Sequence, residues 1–388
     1  MIRVSSIFSQ ILHTFPRLEF AALVREFKAE RHARGFTCWQ QFVAMLFCQL
    51  AHAQSLREIC GGLAALEGKL LHLGVTNCPK TTTLSYANAH RPWQLYEAIF
   101  YQTLSRCQAE VAHRTRHKFR FKHKLLSLDA SMIELCAETF DWARYGRTKG
   151  ALKLHLVLDH DGCLPCFAVV TEGKRADVRE ARQMEFAPGT LVVFDRGYAD
   201  YNWWLALTRS HVSFVTRLKD SASYGVVESR PIPAGSDVVR DEVILLTSQQ
   251  EIGPEACLRR IEVWVEEKQA TLVFVTNNLK LSARTIARIY KERWKIELFF
   301  KALKQGLKVK TFVGTSENAV QIQIWTALIA ILILKYLQLK STFGWSLSNL
   351  IALLRQQLFV HRDLWTWLND PFQAPPSLVL AEQLPLGL

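Results

Sequence analysis

Apolar residues recur at helical spacing in the first part of the chain. Phe20–Glu30, Trp39–Ala53 and Trp93–Cys107 each carry such a stripe with few β-branched runs, which predicts a helical region over residues 1–112. Pro79 and the threonines after it predict the start of a short additional helix. The residues on its outward side would be Lys80, Thr83, Ser85, Asn88 and Arg91. These residue types contact DNA phosphates and base edges, so the helix is interpreted either as part of a DNA-binding helix-turn-helix or as a polar surface helix.

The pattern changes to short apolar strands at residue 125. Leu125–Asp129 and Leu191–Asp195 are runs typical of buried strands, and each ends in a carboxylate. Three more strands, at Lys153–Leu158, Cys166–Thr171 and Val212–Thr216, and two helices, at Asp177–Phe186 and Tyr201–Arg209, complete the pattern. This order is typical of a mixed α/β sheet with helices on both faces, in which ligands bind beyond strand ends. Residues 113–219 are therefore interpreted as the first part of an α/β core.

Residues 220–280 alternate between apolar and polar positions as antiparallel strands do, and they predict a β-rich insertion. The predicted strands are Tyr224–Glu228, Glu242–Thr247, Leu258–Val265 and Thr271–Thr276. One long helix follows at Leu281–Gln305, with Ser282 as its N-cap. It lies in the segment 281–318, which would complete the core.

Residues 319–388 are interpreted as a helical C-terminal region with apolar helices at 319–339 and 346–359. The most apolar stretch of the whole chain, Ile324–Leu334, falls in this region. It is shorter than the ~20 residues that span a membrane. A buried core helix is therefore predicted, and no membrane partner.

The charge balance points to a polyanionic partner. The chain has 48 Lys and Arg against 35 Asp and Glu, a net charge of +13 and a pI near 9.4. Nucleic acid is the first candidate and an anionic membrane surface the second. The basic run His113–Lys124 contains two phenylalanines and predicts either a segment that tracks DNA or a solvated face. Nine scattered cysteines without a secretory signal in residues 1–25 predict reduced thiols and a cytoplasmic location.

The long helix carries an unusual set of polar residues. On an ideal helix with about 100° per residue, five of them fall within an arc of about 80°. They are Tyr290, Arg293, Glu297, Lys301 and Lys304. A carboxylate among three cations and a phenol suits a metal ion held beside phosphates. The alternative is a solvated basic helix with pairs between residues four apart.

Three acidic residues are candidates for a metal site. Asp129 and Asp195 each end a predicted buried strand, and Glu297 lies on the cationic helix. Carboxylates crowded together resist ionisation, and a pair of divalent cations would relieve that repulsion and support phosphoryl transfer. The alternative for the two aspartates is a capping role. Asp159 and Asp161 are interpreted as turn residues.

The sequence resembles a known enzyme family in three motifs. Tyr290-x2-Arg293-x3-Glu297-x6-Lys304 is similar to the Y-R-E-K signature of bacterial DDE transposases of the insertion sequence 4 type. Leu-Asp129-Ala-Ser resembles the motif around that family's first aspartate, and Phe-Asp195-Arg-Gly-Tyr resembles the second. The Lys149–His155 strand and the Gly314–Ala319 segment are also similar, so the resemblance runs from the N-terminal helices to about residue 340.

The resemblance implies an α/β fold: a ribonuclease H-like core interrupted by a β-strand insertion, between helical N-terminal and C-terminal regions. Asp129, Asp195 and Glu297 would bind two Mg2+ ions, with Mn2+ able to substitute. The family's Tyr, Arg and Lys contact phosphates, which implies that role for Tyr290, Arg293 and Lys304. Lys301 is not part of the motif, but it lies one helical turn beyond Glu297 on the same face, so we predict that it also contacts phosphates. An aromatic residue of the insertion would stabilise a flipped base, but Trp264 is not assigned to that role, since strand alternation would allow it to be buried.

The implied activity is cleavage at the ends of an insertion sequence and strand transfer into target DNA, by a cut-and-paste route with a hairpin intermediate. Its partners would be the terminal repeats, the target duplex and a second copy of the chain on DNA, in a bacterial cytoplasm at the nucleoid. Two alternatives stay open at this point. One is another ribonuclease H-like nuclease, and the other is a DNA-binding protein that descends from a transposase and no longer catalyses.

Overall fold

The computed structural model describes residues 5–31, 33, 35–66, 69–112, 124–136, 140, 142 and 149–372. The predicted DNA-tracking run at residues 113–124 lies outside the described residues except for its last member, Lys124.

A single mixed sheet of nine strands forms the centre of the described structure. The strands are β1 Leu125–Cys136, β2 Lys149–Asp159, β3 Leu164–Glu172, β4 Leu191–Phe194, β5 Ser213–Arg217, β6 Tyr224–Ser229, β7 Val238–Leu246, β8 Leu258–Val265 and β9 Ala270–Thr276. Their order is β3-β2-β1-β4-β5-β9-β8-β7-β6. β1, β4 and β5 run parallel, and every other neighbouring pair is antiparallel. The predicted strands of residues 220–280 are confirmed, and they extend the same sheet because β9 pairs with β5.

Thirteen helices accompany the sheet in the described residues. They are α1 Ile7–Leu12, α2 Arg17–Glu26, α3 Cys38–Ala51, α4 Leu56–Ala64, α5 Thr81–His90, α6 Gln94–Ala112, α7 Asp177–Ala181, α8 Tyr201–Arg209, α9 Ala283–Glu292, α10 Trp294–Gly306, α11 Glu317–Lys340, α12 Leu347–Gln357 and α13 Leu364–Asn369. Side-chain caps begin several of them: Thr37 forms a full capping box at α3, and Ser282 and Ser316 cap α9 and α11. The sequence did not predict α1, α4 or α13.

The two faces of the sheet bury different helices. Leu126 and Leu128 of β1 pack with Trp204 of α8 on one face. Ile133 of β1 packs with the α6 and α11 side chains on the other face, and Leu125 packs there with Ile286 of α9. Successive strand residues point to opposite faces. Asp129 is in phase with Leu125 and Ile133, so its side chain points to the face that carries α9.

Helix α11 is the core helix that the sequence predicts. It is long and apolar enough to cross a membrane by length and composition, but 89% of its most apolar 18-residue stretch is buried inside the protein. Its neighbours include α6, α3, α5 and α12. The apolar surface of this helix is therefore used to build the core.

A buried amide on α11 supports a stability prediction. The Gln323 side chain accepts a hydrogen bond from the Val313 N–H (2.9 Å) and donates to the carbonyls of Lys308 (2.7 Å) and Thr311 (2.8 Å). Gln323→Leu would leave three backbone groups without these partners, so we expect a loss of roughly 3–5 kcal/mol in the free energy of unfolding. Gln321→Leu is the control, because no residue in the described part of the chain donates a hydrogen bond to the Oε1 atom of buried Gln321. Denaturant midpoints measure both, and equal midpoints would contradict the prediction.

Two differences from the predicted elements affect the candidate site. The strand that begins at Leu125 continues past Asp129 to Cys136, because β2 pairs with β1 over its whole length, whereas the parallel pairing with β4 stops at Leu128. The predicted helix Leu281–Gln305 is two helices that meet at Arg293. At this junction the Arg293 N–H donates to the carbonyl of Tyr290, and the Ile296 N–H donates to the carbonyl of Arg293. Both bonds span three residues instead of four, so the chain is wound more tightly here than in an α-helix.

Candidate active site

Asp129 and Asp195 are placed side by side by the parallel pairing of β1 and β4. The last paired residues are Leu128 and Phe194, and each is followed by an aspartate. Neighbouring strands lie about 4.8 Å apart, and equivalent positions point to the same face. Both carboxylates therefore occupy the point where β1 separates from β4, on the face covered by α9. The sequence predicted this strand-end location for Asp195, and the pairing with β4 gives Asp129 an equivalent one.

Arg293 connects Glu297 to this pair of aspartates. Its Nη2 atom is 2.5 Å from Glu297 Oε1, and its Nη1 atom is 3.7 Å from Asp129 Oδ2. The guanidinium is largely buried, with 16% of the side chain exposed. Ile286 and Ile289 hold α9 against the sheet, so the turn at Arg293 directs the start of α10 across the strand ends. Two of the three acidic residues selected from the sequence, Asp129 and Glu297, thus contact one arginine that the sequence assigns to phosphate binding.

The electrostatics of Asp129 show a crowded site. Burial raises the pKa of Asp129 to about 6. The Ala130 N–H (2.8 Å from Oδ1) and Arg293 act in the opposite direction, while the charges of Asp195 and Glu297 raise that pKa further. A cation near these carboxylates would favour the ionised form.

Asp195 has the capping role that the sequence leaves open for it. Its Oδ1 atom accepts a hydrogen bond from the Gly197 N–H (2.8 Å) and so caps the short 3-10 turn Arg196–Tyr198. An ionised carboxylate has about four acceptor positions. The cap uses one of them, and the carboxylate keeps capacity for a metal ion.

The donor chemistry of the site fits a hard divalent cation, since carboxylate oxygens are the ligands that Mg2+ and Mn2+ take. Within the described residues, no group of three His, Cys, Asp or Glu side chains is close enough to hold a metal ion as a set. Glu297 contacts the Arg293 guanidinium instead.

The other residues of the predicted cationic face differ in their surroundings. The ring of Tyr290 packs on Phe274 with centroids 5.0 Å apart, and the Arg293 guanidinium lies 5.6 Å from the centre of the Tyr290 ring. Lys304 donates to the carbonyl of Met132 on β1 (2.6 Å), whereas Lys301 is exposed. Phosphate binding by these residues stays a prediction.

A cavity of about 930 Å³ opens beside Tyr290 and Arg293. It lies between the end of β8 and helix α9, and two tryptophans, Trp264 and Trp294, line it. Trp264 is 44% exposed and Trp294 57%, so alternation does not bury Trp264. The sequence analysis did not select Trp294.

The short helix α5 carries only part of the outward surface predicted for it. Lys80 and Ser85 are exposed and Thr83 is half-buried. The outward position predicted for Asn88 is wrong: Asn88 is buried, and its Oδ1 accepts from the side chain of Gln41 (2.8 Å). Arg91 is also engaged within the protein, since it bonds to Gln41 (3.1 Å) and to the carbonyl of Phe36. DNA binding by Lys80, Thr83 and Ser85 stays a prediction.

Comparison with known proteins identifies the family. The family profile described as the transposase DDE domain matches residues 120–333, more than half of the chain. The chain belongs to the DDE transposases. A protein of Sinorhizobium fredii that is named as a transposase, y4zB, is 32% identical over 74% of this chain and 79% of its own length. A protein of Geobacillus stearothermophilus, named as a transposase for insertion sequence element IS5377, is 30% identical over 69% of this chain and 70% of its own length.

Two further matches complete the comparison. Residues 3–76 match a domain family of unknown function, DUF4372. A solved piggyBac transposase synaptic complex with hairpin DNA covers 98% of this chain and 85% of that chain at 10% identity, with a TM-score of 0.41, a likeness too weak to support an inference about this chain. The family assignment makes the chain a DNA transposase of a bacterial insertion-sequence type, an enzyme that binds DNA and uses divalent metal ions.

Proposed function

We propose that this transposase belongs to the insertion sequence 4 type, cuts DNA at the ends of its element and joins those ends to target DNA, with Asp129, Asp195 and Glu297 as its metal ligands. The observation that carries the proposal is the pairing of Leu128 with Phe194, since it sets two aspartates side by side, next to the arginine that contacts Glu297. Two Mg2+ ions, or Mn2+ in their place, are the proposed cofactors.

The order of the first five strands supports a ribonuclease H-like core. β3, β2, β1, β4 and β5 follow one another across the sheet; β1, β4 and β5 are parallel, and β2 is antiparallel to both of its neighbours, β1 and β3. We propose this core for residues 113–219 and 281–318, interrupted by the insertion 220–280. Residues 1–112 would be the DNA-binding region and 319–388 the helical C-terminal region.

The proposed chemistry is in-line attack on a DNA phosphate by water or by a 3′-hydroxyl. Bound metal ions lower the pKa of the attacking oxygen and stabilise the leaving oxygen. Arg293, with Tyr290, Lys301 and Lys304, would bind the phosphates near the element end and hold the scissile bond in line. The exposed tryptophan Trp264 would be available to a base flipped out of the duplex, and we carry over the cut-and-paste route with a hairpin from the resemblance.

Two active sites are needed to cut both ends of an element in one complex. We therefore propose that the chain acts as a homodimer on DNA, with the terminal repeats and the target duplex as its ligands. The net charge of +13 supports a long DNA contact. In a bacterium such a protein would work at the nucleoid.

The deciding experiment uses a labelled duplex that carries the element's own ends, a target plasmid and Mg2+. We expect nicking at the ends, followed by joined products in the plasmid. Cleavage without joining would favour the alternative that the protein is a nuclease with a ribonuclease H-like core and not a transposase. Binding of the ends without cleavage in Mg2+ or Mn2+ would favour the alternative of a DNA-binding protein that descends from a transposase and no longer catalyses.

Metal binding is expected to weaken in acid. The pKa of Asp129 is about 6 in the folded protein, so below this pH a metal ion must displace a proton from that carboxyl. Arg293 lowers the pKa of Asp129, so Arg293→Gln should raise it and move the loss of binding to higher pH. Calorimetric Mn2+ titrations between pH 5 and 8 measure the shift. Arg209→Gln is the control, because this exposed cation lies on α8 at the other face of the sheet. An unshifted profile for Arg293→Gln would contradict the prediction.

A further inference from the structure

The outward side of helix α5 borders an open groove of about 510 Å³, far along the chain from the proposed metal ligands. Leu56 at the start of α4 lines one side of it, and Thr82, Ser85, Tyr86 and His90 are among the α5 residues that line the other. None of its described lining residues is acidic. The sequence analysis selected only Ser85 from this set, so the groove presents side chains whose role is open.

Tyr86 and His90 form a stacked pair of rings in this groove. Their ring centroids lie 4.0 Å apart, and the ring planes differ by only 21°. The Nδ1 atom of His90 donates to the carbonyl of Tyr86 (2.8 Å), because a carbonyl can only accept. The imidazole is therefore held across one helical turn, and it supports one side of the tyrosine ring before any ligand binds.

This pair of rings faces solvent and not the core. Tyr86 is 68% exposed, whereas Leu84 and Ala87 face the protein interior from the same helix. A tyrosine combines an apolar ring with a hydroxyl that donates and accepts hydrogen bonds. A ring that is already held in place loses little conformational freedom when it binds a ligand. The pair is thus suited to binding a ligand that offers both apolar and polar groups.

The charges around the groove favour an anionic ligand. Lys80 and Arg57 are exposed, and each adjoins a lining residue in the chain. The neighbouring carboxylate of Glu58 accepts the backbone N–H of Gln54 at the start of α4 (2.8 Å). Hydroxyls and cations of this kind contact DNA phosphates and base edges, and an α-helix fits the major groove of B-DNA. The chain is a DNA transposase, so duplex DNA is the ligand that matches this surface.

We propose that the outward face of α5 enters the major groove of the terminal repeats, where the Tyr86–His90 pair contacts base edges and Lys80 contacts the backbone. The proposal rests on the proposed function, because it takes residues 1–112 as the DNA-binding region. His90 holds the ring of Tyr86 so that its outer edge and hydroxyl reach the bases. The pair supplies sequence preference, whereas Lys80 supplies affinity for any duplex.

The test measures binding of the full-length protein, in EDTA, to two labelled duplexes of equal length and base composition. One carries the element's own end and the other a scrambled sequence. Tyr86→Ala should weaken binding to the element end about tenfold and binding to the scrambled duplex less than about twofold. His90→Ala should act in the same direction, because it removes the support of the tyrosine ring. Leu18→Ala is the control, because Leu18 is an 85% exposed apolar side chain on α2, and both affinities should stay unchanged.

Lys80→Gln shows what the loss of a backbone contact looks like. It should weaken binding to both duplexes alike and reduce the salt dependence of binding by about one unit of slope. If Tyr86→Ala also weakens both alike, Tyr86 contacts the backbone and the proposal is overturned. The proposal is equally overturned if Tyr86→Ala or His90→Ala discriminates between the two duplexes as well as Leu18→Ala does.

Asp129→Asn separates this failure from failure of the proposed function. This variant should discriminate between the duplexes as the wild type does, but it should not cut the element end in Mg2+. If it behaves in this way while Tyr86→Ala keeps full discrimination, only the role of the ring pair is wrong. If the wild type neither discriminates between the duplexes nor cuts the element end, the proposed function is wrong and the proposal about α5 falls with it.

Discussion

Asp129→Asn is expected to abolish metal-dependent cleavage and at the same time to stabilise the metal-free protein. An amide cannot replace the carboxylate as a ligand of a hard cation. Metal ions supply several kcal/mol of transition-state stabilisation, so we expect the cleavage rate to fall roughly 10³-fold or more. Binding of the element ends should stay within a few-fold of the wild type.

The stabilising effect follows from the raised pKa of Asp129. The carboxyl has a pKa of about 6 in the folded protein, against an ordinary value near 3.9 in the unfolded chain. Between these values the folded state binds more protons, so the free energy of unfolding falls as pH rises from about 4 to about 6 and stays reduced at neutral pH. Removing this charge should recover on the order of 2 kcal/mol, or a few degrees in melting temperature.

The measurement is the melting temperature in EDTA, at pH 7.5 and at a series of lower values. Asp129→Asn should melt above the wild type at pH 7.5, and the difference should shrink as pH approaches 4. Glu255→Gln is the control, because Glu255 is an exposed carboxylate paired with Arg209. If Asp129→Asn cuts DNA at the wild-type rate, Asp129 is not a metal ligand. A variant that melts below the wild type at pH 7.5 would show that the native charge is well compensated.

The sequence selects Asp129 and Asp195 as candidates but does not show their surroundings. An apolar run followed by a carboxylate was enough to select Asp129 and Asp195, because buried strands have a strong local signal. The continuation of β1 past Asp129 depends on pairing with β2, which begins at residue 149. Long-range pairing of this kind leaves no mark in the local pattern. It also determines that Asp129 and Asp195 are neighbours.

The errors on α5 have a similar cause. Asn88 was assigned outward because it is polar, yet it lies four residues after Leu84, on the buried side of the helix. Its partner, Gln41, is on α3, and the bond between the two amides joins segments 47 residues apart. A polar residue can be buried where a distant partner satisfies it. Helical periodicity anchored on Leu84 would have placed Asn88 correctly.

The sequence predicts the helical conformation of the cationic segment but not its break at Arg293. Its five polar residues were placed on one arc of a continuous helix, whereas the structure divides the helix at Arg293. The ion pairs of Arg293 with Asp129 and Glu297 could not be read from the sequence, because they require the sheet and the helix pair together.

Glu297→Gln is expected to lower the cleavage rate roughly 10³-fold, by the same metal contribution, with end binding nearly unchanged. Glutamine keeps an oxygen that can accept a hydrogen bond from Arg293, so the arginine should keep its place while the negative charge is lost. A fall in cleavage then reports the charge of residue 297. Single-turnover cleavage at several Mg2+ concentrations measures it.

Glu292→Gln is the control on the same pair of helices. Glu292 is buried at the end of α9 and pairs with Lys295 (2.9 Å). We expect this variant to cut within a few-fold of the wild type. The alternative for Glu297 is that its contact with Arg293 is only a pair between residues four apart, worth about 0.3–0.5 kcal/mol. In that case Glu297→Gln would cut at nearly the wild-type rate while Asp129→Asn would not, and the third metal ligand would have to be a different acidic residue.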